Sequence, residues 1–293
     1  MKKIICIILA CLMLSLTVGC SSTEEPNESS STGALHAFSV SEDKQVYFAT
    51  GNLQYCPKTS TWRFAENSYD SIGADNENIA ADYDGWIDLF AWGANGLSGV
   101  EPYCTSDDNT SYGNGHNNIA NTKWDFSEAY NAQEGTDWRM FTHDEIHYIL
   151  MFRENAEKLF GYGTIDGIRG LFILPDDWQC PDGITFTSSV EAGFENQYDW
   201  YYTNGENENY NYNNFTKSDW EKISEAGGVF LPVTGMRWGT ECDHVGISGH
   251  YWTSSFYGEE FANCLCLFEH DLFLEGNFDR STGLGVRLVR DAS

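Results

Sequence analysis

The amino-acid sequence predicts an α+β domain, loop-rich and built on an antiparallel sheet with two main helices. Three observations carry this expectation. Short β-branched and aromatic runs recur, each closed by Gly, Asp or Asn, the pattern of brief strands joined by turns. Only two segments carry both a helix start signal and a helical run after it. Between these elements lie long stretches of Asn, Asp, Gly and Tyr, too long for simple connections.

In chain order, residues 38–65 read as three or four strands, and residues 45–55 alternate around Gly51-Asn52 as a hairpin would. Thr142 is placed to cap a helix, with Glu145 returning the capping-box bond and Phe141 packing on Ile146 as a staple. That helix is expected to run to about Asn155, burying Ile146, Ile149, Leu150 and Arg153 on one face. Residues 106–121 and 195–214 are expected as binding loops or insertions. A second helix is predicted from Lys217 to Ala226, capped by Thr216 and stopped at Gly227. Residues 228–233, 262–268 and 284–289 complete the strands.

Residues 1–19 place Lys2 and Lys3 before an apolar run too short to span a membrane, which reads as a secretory signal. Cys20 follows as the candidate lipidated residue, although Thr17 stands where a lipobox carries Leu. Residues 20–35 are rich in Ser, Thr, Glu, Asn and Pro and are expected to be a flexible tether, with Glu24 and Glu25 resembling an acidic surface-export tag. The remaining span, 36–293, is about 260 residues, enough for one large domain. The formal charge is −28, and loss of Lys2 and Lys3 with the signal takes it to −30. Such a charge excludes nucleic acid as a partner and favours solubility or cation binding. The expected location is the outer membrane, exposed at the cell surface and held through the lipid on Cys20.

Several constellations have a chemical and a plain reading. His143 and His147 stand at helical spacing, but His-Asp-Glu-Ile-His is not a metalloprotease order and no third ligand is evident, so a solvent-facing helix is expected. Beyond Cys20, an even set of cysteines (Cys56, Cys104, Cys180, Cys242, Cys264 and Cys266) allows disulfides whose pairing the sequence does not select. Asp107, Asp108 and Asn109 with Asn114, and Asp82 and Asp84 with Asp88, are oxygen-rich turns suited to a structural calcium or to plain solvation. No other cofactor is expected. Trp238, Tyr251, Trp252 and Tyr257 offer aromatic area for a sugar ring or a protein partner, and Trp252 suits a core position equally well.

Tyr47-Phe48-Ala49-Thr50-Gly51-Asn52-Leu53-Gln54-Tyr55, Asp137-Trp138-Arg139, Leu159-Phe160-Gly161-Tyr162-Gly163, Leu174-Pro175-Asp176-Asp177-Trp178, Gly249-His250-Tyr251-Trp252-Thr253-Ser254-Ser255 and the closing Gly285-Val286-Arg287-Leu288-Val289-Arg290-Asp291 together carry a resemblance. Over residues 36–293 the chain resembles the formylglycine-generating-enzyme (sulfatase-modifying-factor) branch of the C-type lectin fold. It is closer to the Bacteroidetes lipoproteins of the Fibrobacter succinogenes major paralogous domain. The resemblance implies that the first and last strands pair. It does not carry the oxidase activity of the related enzymes, because Cys264-Leu265-Cys266 has neither their cysteine spacing nor their surrounding motif. The calcium-dependent sugar tripeptide is also absent, Glu101-Pro102 being followed by Tyr103.

Similar proteins include the variable receptors of diversity-generating retroelements, in which Asn codons are mutated at adenines. Cys242, Asp243, His244, Val245, Cys264, Cys266, Phe268, His270, Leu272, Asn277 and Asp279 are residues such codons can reach, whereas Glu259, Glu260, Glu269 and Glu275 are not. The expected function is a non-enzymatic, surface-anchored binding module whose ligand face spans residues 236–282. A fixed adhesin for a glycan or a neighbouring protein is the close alternative, and a divergent oxidase or other enzyme on the same fold a further one.

Overall fold

The computed structural model describes residues 36–113, 116–198, 200–203 and 209–292. The expected signal, Cys20 and the tether therefore lie outside the described residues, as does Asn114. From the N-terminal side the elements are β1 (Phe38–Ser39), β2 (Gln45–Phe48), β3 (Leu53–Cys56), β4 (Thr61–Phe64), α1 (Phe126–Glu134), β5 (Arg139–Met140), α2 (His143–His147), β6 (Phe160–Ile165) and β7 (Ile168–Ile173). There follow β8 (Glu195–Gln197), β9 (Trp200–Tyr202), β10 (Asn213–Phe215), α3 (Lys217–Glu225), β11 (Val229–Pro232), β12 (Met236–Trp238), β13 (Glu241–Asp243), β14 (Gly249–Phe256), β15 (Phe261–Leu267), β16 (Asp271–Asp279) and β17 (Leu288–Asp291). The class is mixed α+β with mostly antiparallel sheets: among these strands only β10 and β6 pair in parallel.

Three sheets frame the molecule, in the orders β1-β2-β17-β5, β10-β6-β7-β11 and β14-β15-β16-β9-β8. In the first, β2 pairs with β17, and Phe48 faces Val289. The predicted hairpin around Gly51-Asn52 does not form. Instead β2 pairs with β1 and β17, β3 pairs with β4, and Ala49 and Leu53 both donate their N–H groups to the closing segment, at Leu288 and Val286. Gly51 lies against the Ala65 backbone, where a Cβ would collide, so the chain passes straight along the C-terminal segment rather than folding back on itself.

The five-stranded sheet separates two apolar cores. Alternation along its strands sends Tyr251, Leu265, Leu267, Leu272, Leu274 and Tyr201 into the first, with Ile146, Ile149, Leu150, Phe160, Leu171 and Val289. Trp252, Cys264 and Cys266 face the second, with Trp62, Phe90, Trp92 and Phe126.

The capping box at Thr142 and Glu145 is present, but α2 is only His143–His147 and passes into a π-turn at Tyr148–Phe152. It stops before Asn155 because the buried Arg153 turns back: its Nε donates to the Ile149 carbonyl at 2.6 Å and its Nη1 to Asp176 at 3.0 Å. So short a helix has no stability of its own, and the burial of Ile146, Ile149 and Leu150 holds it. The helix from Lys217 is found as expected, with Thr216 and Asp219 forming its capping box. The two-helix expectation misses α1, which Asp125 caps and Gly135 closes in the left-handed conformation. Residues 195–214 are likewise not an open loop throughout, since β8 and β9 extend the five-stranded sheet and β10 pairs with β6.

Candidate binding face

Where side chains of the five-stranded sheet and its β15–β16 turn point away from the first core, they form an aromatic row that Trp238 of β12 joins at one end. Trp238 and Phe278 have centroids 6.2 Å apart, Phe278 and His250 4.9 Å, His250 and Phe268 5.3 Å, and Phe268 and Phe273 5.8 Å. The row continues through Trp200, stacked on Phe273 at 5.2 Å with ring planes 9° apart, to Tyr202 at 4.9 Å. Trp200 is held in place by its Nε1–H, which donates to Asp271 Oδ1 at 2.9 Å.

A cavity of about 370 Å3 opens beside this row, at the hairpin tip between β15 and β16. Its walls are Phe268, Phe273 and Ile247, its lip on one side is His244 and Ser248, and on the other Glu269, His270 and Asp271. Phe268 N–H donates to the Asp271 carbonyl at 2.8 Å, closing the tip. The opposite lip is fixed by Ile247 N–H to the His244 carbonyl at 2.9 Å and Gly246 N–H to the Val233 carbonyl at 3.2 Å. Both lips are thus tight turns pinned to strands, and the cavity is preformed.

Of the residues singled out from the sequence, His244, Phe268 and His270 meet at this cavity. Trp238 is 43% exposed on the rim of the aromatic row, and Cys242 is half-buried nearby with its thiol pushed up to about 11 by burial. Tyr257, 53% exposed, lies in the turn joining β14 to β15, and Asp279 pairs with Phe261 at the end of the β15–β16 hairpin remote from its tip. That end is about 20 Å from the cavity along the strands. Asn277 is exposed near the same end, opposite Asn263, and Asp279 accepts from Asn109 Nδ2 at 3.0 Å.

Four residues need correction. Trp252, Cys264, Cys266 and Leu272 are buried and do not reach a ligand face. Trp252 is a core residue whose Nε1–H donates to the Phe90 carbonyl at 2.7 Å, and Leu272 packs in the first core. The alternation that puts these side chains inside also rules out Cys264 and Cys266 as sampled surface positions. Trp200, Phe273 and Phe278 were missed. Trp200 and Tyr202, two residues apart, carried the one available signal, since such spacing puts both rings on one side of a strand.

Behind the row, Cys264 Sγ and Cys266 Sγ approach to 3.4 Å across an irregularity in the β15–β16 register. Gly276, on the facing strand, leaves the space the sulfurs occupy, where a Cβ would collide with Cys266. His250 lies beside Cys266 and shares a 3.0 Å hydrogen bond with Ser248 Oγ on the cavity lip. Burial pushes the Cys264 thiol up, whereas the hydrogen bond from Cys264 and the neighbouring His250 hold Cys266 down.

All six cysteines of the described residues are free thiols, so none of the pairings that their even count allowed is formed. Alkylation of the native protein should label the exposed Cys180 rapidly, and Cys264 and Cys266 only after unfolding, because the reactive thiolate must meet reagent. Mass spectrometry of timed iodoacetamide digests reads this. Labelling of Cys264 as fast as Cys180 would show that the core opens.

In the oxygen-rich turns the carboxylates of Asp84, Asp88 and Asp108 have partners within the protein. Asp88 is fully buried and accepts from Asn76, Asp84 pairs with Lys58 at 3.1 Å, and Asp108 caps the turn at Thr110. Among the described residues no three His, Cys, Asp or Glu side chains converge as metal ligands. His143 and His147 have ring centroids 5.4 Å apart. His143 is not solvent-facing as expected: its side chain is largely buried, with Nε2 3.5 Å from Glu275. No helix among the described residues is long and apolar enough to cross a membrane. Comparison of the chain with family models, curated proteins and solved structures finds no match in any of the three.

Proposed function

We propose that this chain is a non-catalytic binding module that recognises its ligand in the cavity between Ile247 and Phe273 and on the aromatic row beside it. The observation that carries this reading is the preformed apolar cavity, whose wall residue Phe273 is backed by the stacked Trp200. Aromatic walls provide large contact area at small entropic cost, and pinned turns remove the cost of ordering the site. In this reading the domain has a C-type lectin-like architecture of the formylglycine-generating-enzyme type, supported by the pairing of β2 with β17. It is carried at the cell surface by a lipid on Cys20, and a retroelement, if it acts here, would vary exposed positions such as His244 rather than the buried cysteines.

The test is a thermal-shift screen of the full chain against glycans, amines, organic acids and peptides, repeated on Phe273→Ala and Tyr257→Ala. Phe273→Ala should weaken any ligand found by about tenfold or more, the worth of a lost aromatic wall. Tyr257→Ala, remote from the cavity, should leave it unchanged. A ligand indifferent to Phe273 would move the site elsewhere.

A further inference from the structure

The chemistry of the cavity narrows what it can hold, and this step rests on the binding reading above. Phe268 and Phe273 meet with their rings 85° apart, so two aromatic surfaces border the space at a right angle. Aromatic faces carry partial negative charge and attract cations. The hairpin tip between them contributes two carboxylates, Glu269 and Asp271, to the same lip. Between these two carboxylates stands His270, whose Nδ1 is sealed from solvent and is therefore not a contact for a ligand.

We propose that the cavity binds a primary alkylammonium ion, its apolar stem against Phe268, Phe273 and Ile247 and its head donating to the carboxylates of Glu269 and Asp271. The competing chemistries fit less well. A carboxylate or sulfate would face two like charges in a protein of net charge −28. A sugar ring carries several hydroxyls, and a predominantly apolar lining would strip their water without replacing the hydrogen bonds. A neutral aliphatic ligand would fill the walls but leave the Glu269 and Asp271 carboxylates without a counter-charge. The same head group arrives on a free amine or on a lysine side chain, and the two sources share this chemistry.

The test is ligand-observed NMR titration of the full chain with n-butylammonium, n-butanol and butyrate, three probes of similar shape and different charge. Butylammonium should bind about tenfold more tightly than butanol, the worth of a charge-assisted hydrogen bond to the lip carboxylates, and butyrate more weakly still. Glu269→Gln should remove most of that preference while leaving butanol unchanged, and added salt should weaken butylammonium alone. Nα-acetyl-lysine methylamide as a fourth probe separates the sources: tighter binding than butylammonium points to a lysine-bearing partner, and weaker binding to a free amine. Equal binding of butanol and butylammonium overturns the proposal. If butylammonium fails and another ligand depends on Phe273, the ligand class is wrong and the binding site stands. If no ligand depends on Phe273, both fall.

Discussion

Replacing Arg287 by lysine is expected to destabilise the domain by about 3–5 kcal/mol, the cost of breaking a buried charged network. The side chain is 1% exposed, and every hydrogen-bond partner it has is an uncharged oxygen. Nε and Nη2 both donate to Asn52 Oδ1, at 3.0 and 2.9 Å. Nη1 reaches the Ala49 carbonyl at 3.1 Å, and Nη2 the Phe230 carbonyl at 3.0 Å and that of Ser68 at 3.3 Å. One planar fork therefore ties the segment after β2, the loop after β4 and strand β11 to the chain just before β17.

Burial pushes the guanidinium down to about 10, still charged at neutral pH, so its charge is spread over these oxygens instead of being neutralised by a carboxylate. Lysine concentrates that charge on one compact head and cannot serve oxygens on several sides. Equilibrium urea unfolding measures the cost. A loss below about 1 kcal/mol would mean that the carbonyls find other donors and that the staple is dispensable. Arg287→Met separates charge from contact: it removes the buried ion but orphans the same oxygens, and a loss similar to that of lysine would place the cost in the hydrogen bonds.

Arg287 also shows how far the sequence could be read. A closing strand was legible because the β-branched and apolar residues of 284–289 say so locally, although β17 (Leu288–Asp291) shares only Leu288 and Val289 with that span, and the resemblance implied that it meets the first strands. That Arg287 turns inward was not legible, because the Asn52, Ser68 and Phe230 oxygens that accept it come from segments far apart in the chain. The hairpin at Gly51-Asn52 failed for a related reason. Its dipeptide signals a turn, yet the backbone bonds of Ala49 and Leu53 go to the C-terminal segment, and tertiary pairing decided between the two.

Helix α1 could have been found. Asp125 stands before Phe126 with Glu128 three residues beyond the cap, and Gly135 supplies the stop, but its nine residues lack a strong apolar stripe. The candidate site divides in the same way. His244, Phe268 and His270 were reached from the sequence, whereas Phe273 becomes a cavity wall backed by Trp200 only because β9 adds itself to the edge of β16. Strand alternation, applied to Cys264-Leu265-Cys266, put both sulfurs on one side. Which side faced the core depended on packing that no local pattern encodes.

Stability is expected to rise as the solution is made mildly acidic, against the usual direction for a protein rich in carboxylates. Asp88 is fully buried, and desolvation raises its carboxyl from 3.8 to about 6 despite hydrogen bonds from Asn76 Nδ2 at 2.7 Å and the Ile72 N–H at 3.0 Å. Because its folded value lies above the unfolded one, the folded state binds more protons between the two, and stability falls as pH rises through that window. The full difference is on the order of 3 kcal/mol, and roughly half of it is regained on going from about pH 7.5 to about pH 5.

Asp125, buried at the cap of α1 and raised by the same cause, acts in the same direction, as does relief of self-repulsion in a chain of charge −28. Carboxylates held low act elsewhere. Asp84 is lowered by its hydrogen bond to Lys58, Asp108 by Thr110 and Asp219 by Thr216. Their contribution is present above the unfolded carboxylate value and is lost only as pH falls below it, beneath the Asp88 window. Urea midpoints across this range should climb toward acid in the parent chain and change less in Asp88→Asn, which keeps the shape and cannot ionise. The 13C carboxyl shift of Asp88 should titrate near its raised value. A parent stability that increases with pH through the window, or a carboxyl that titrates near 3.8, would show that Asp88 is solvated in solution and not sealed beneath Asn76.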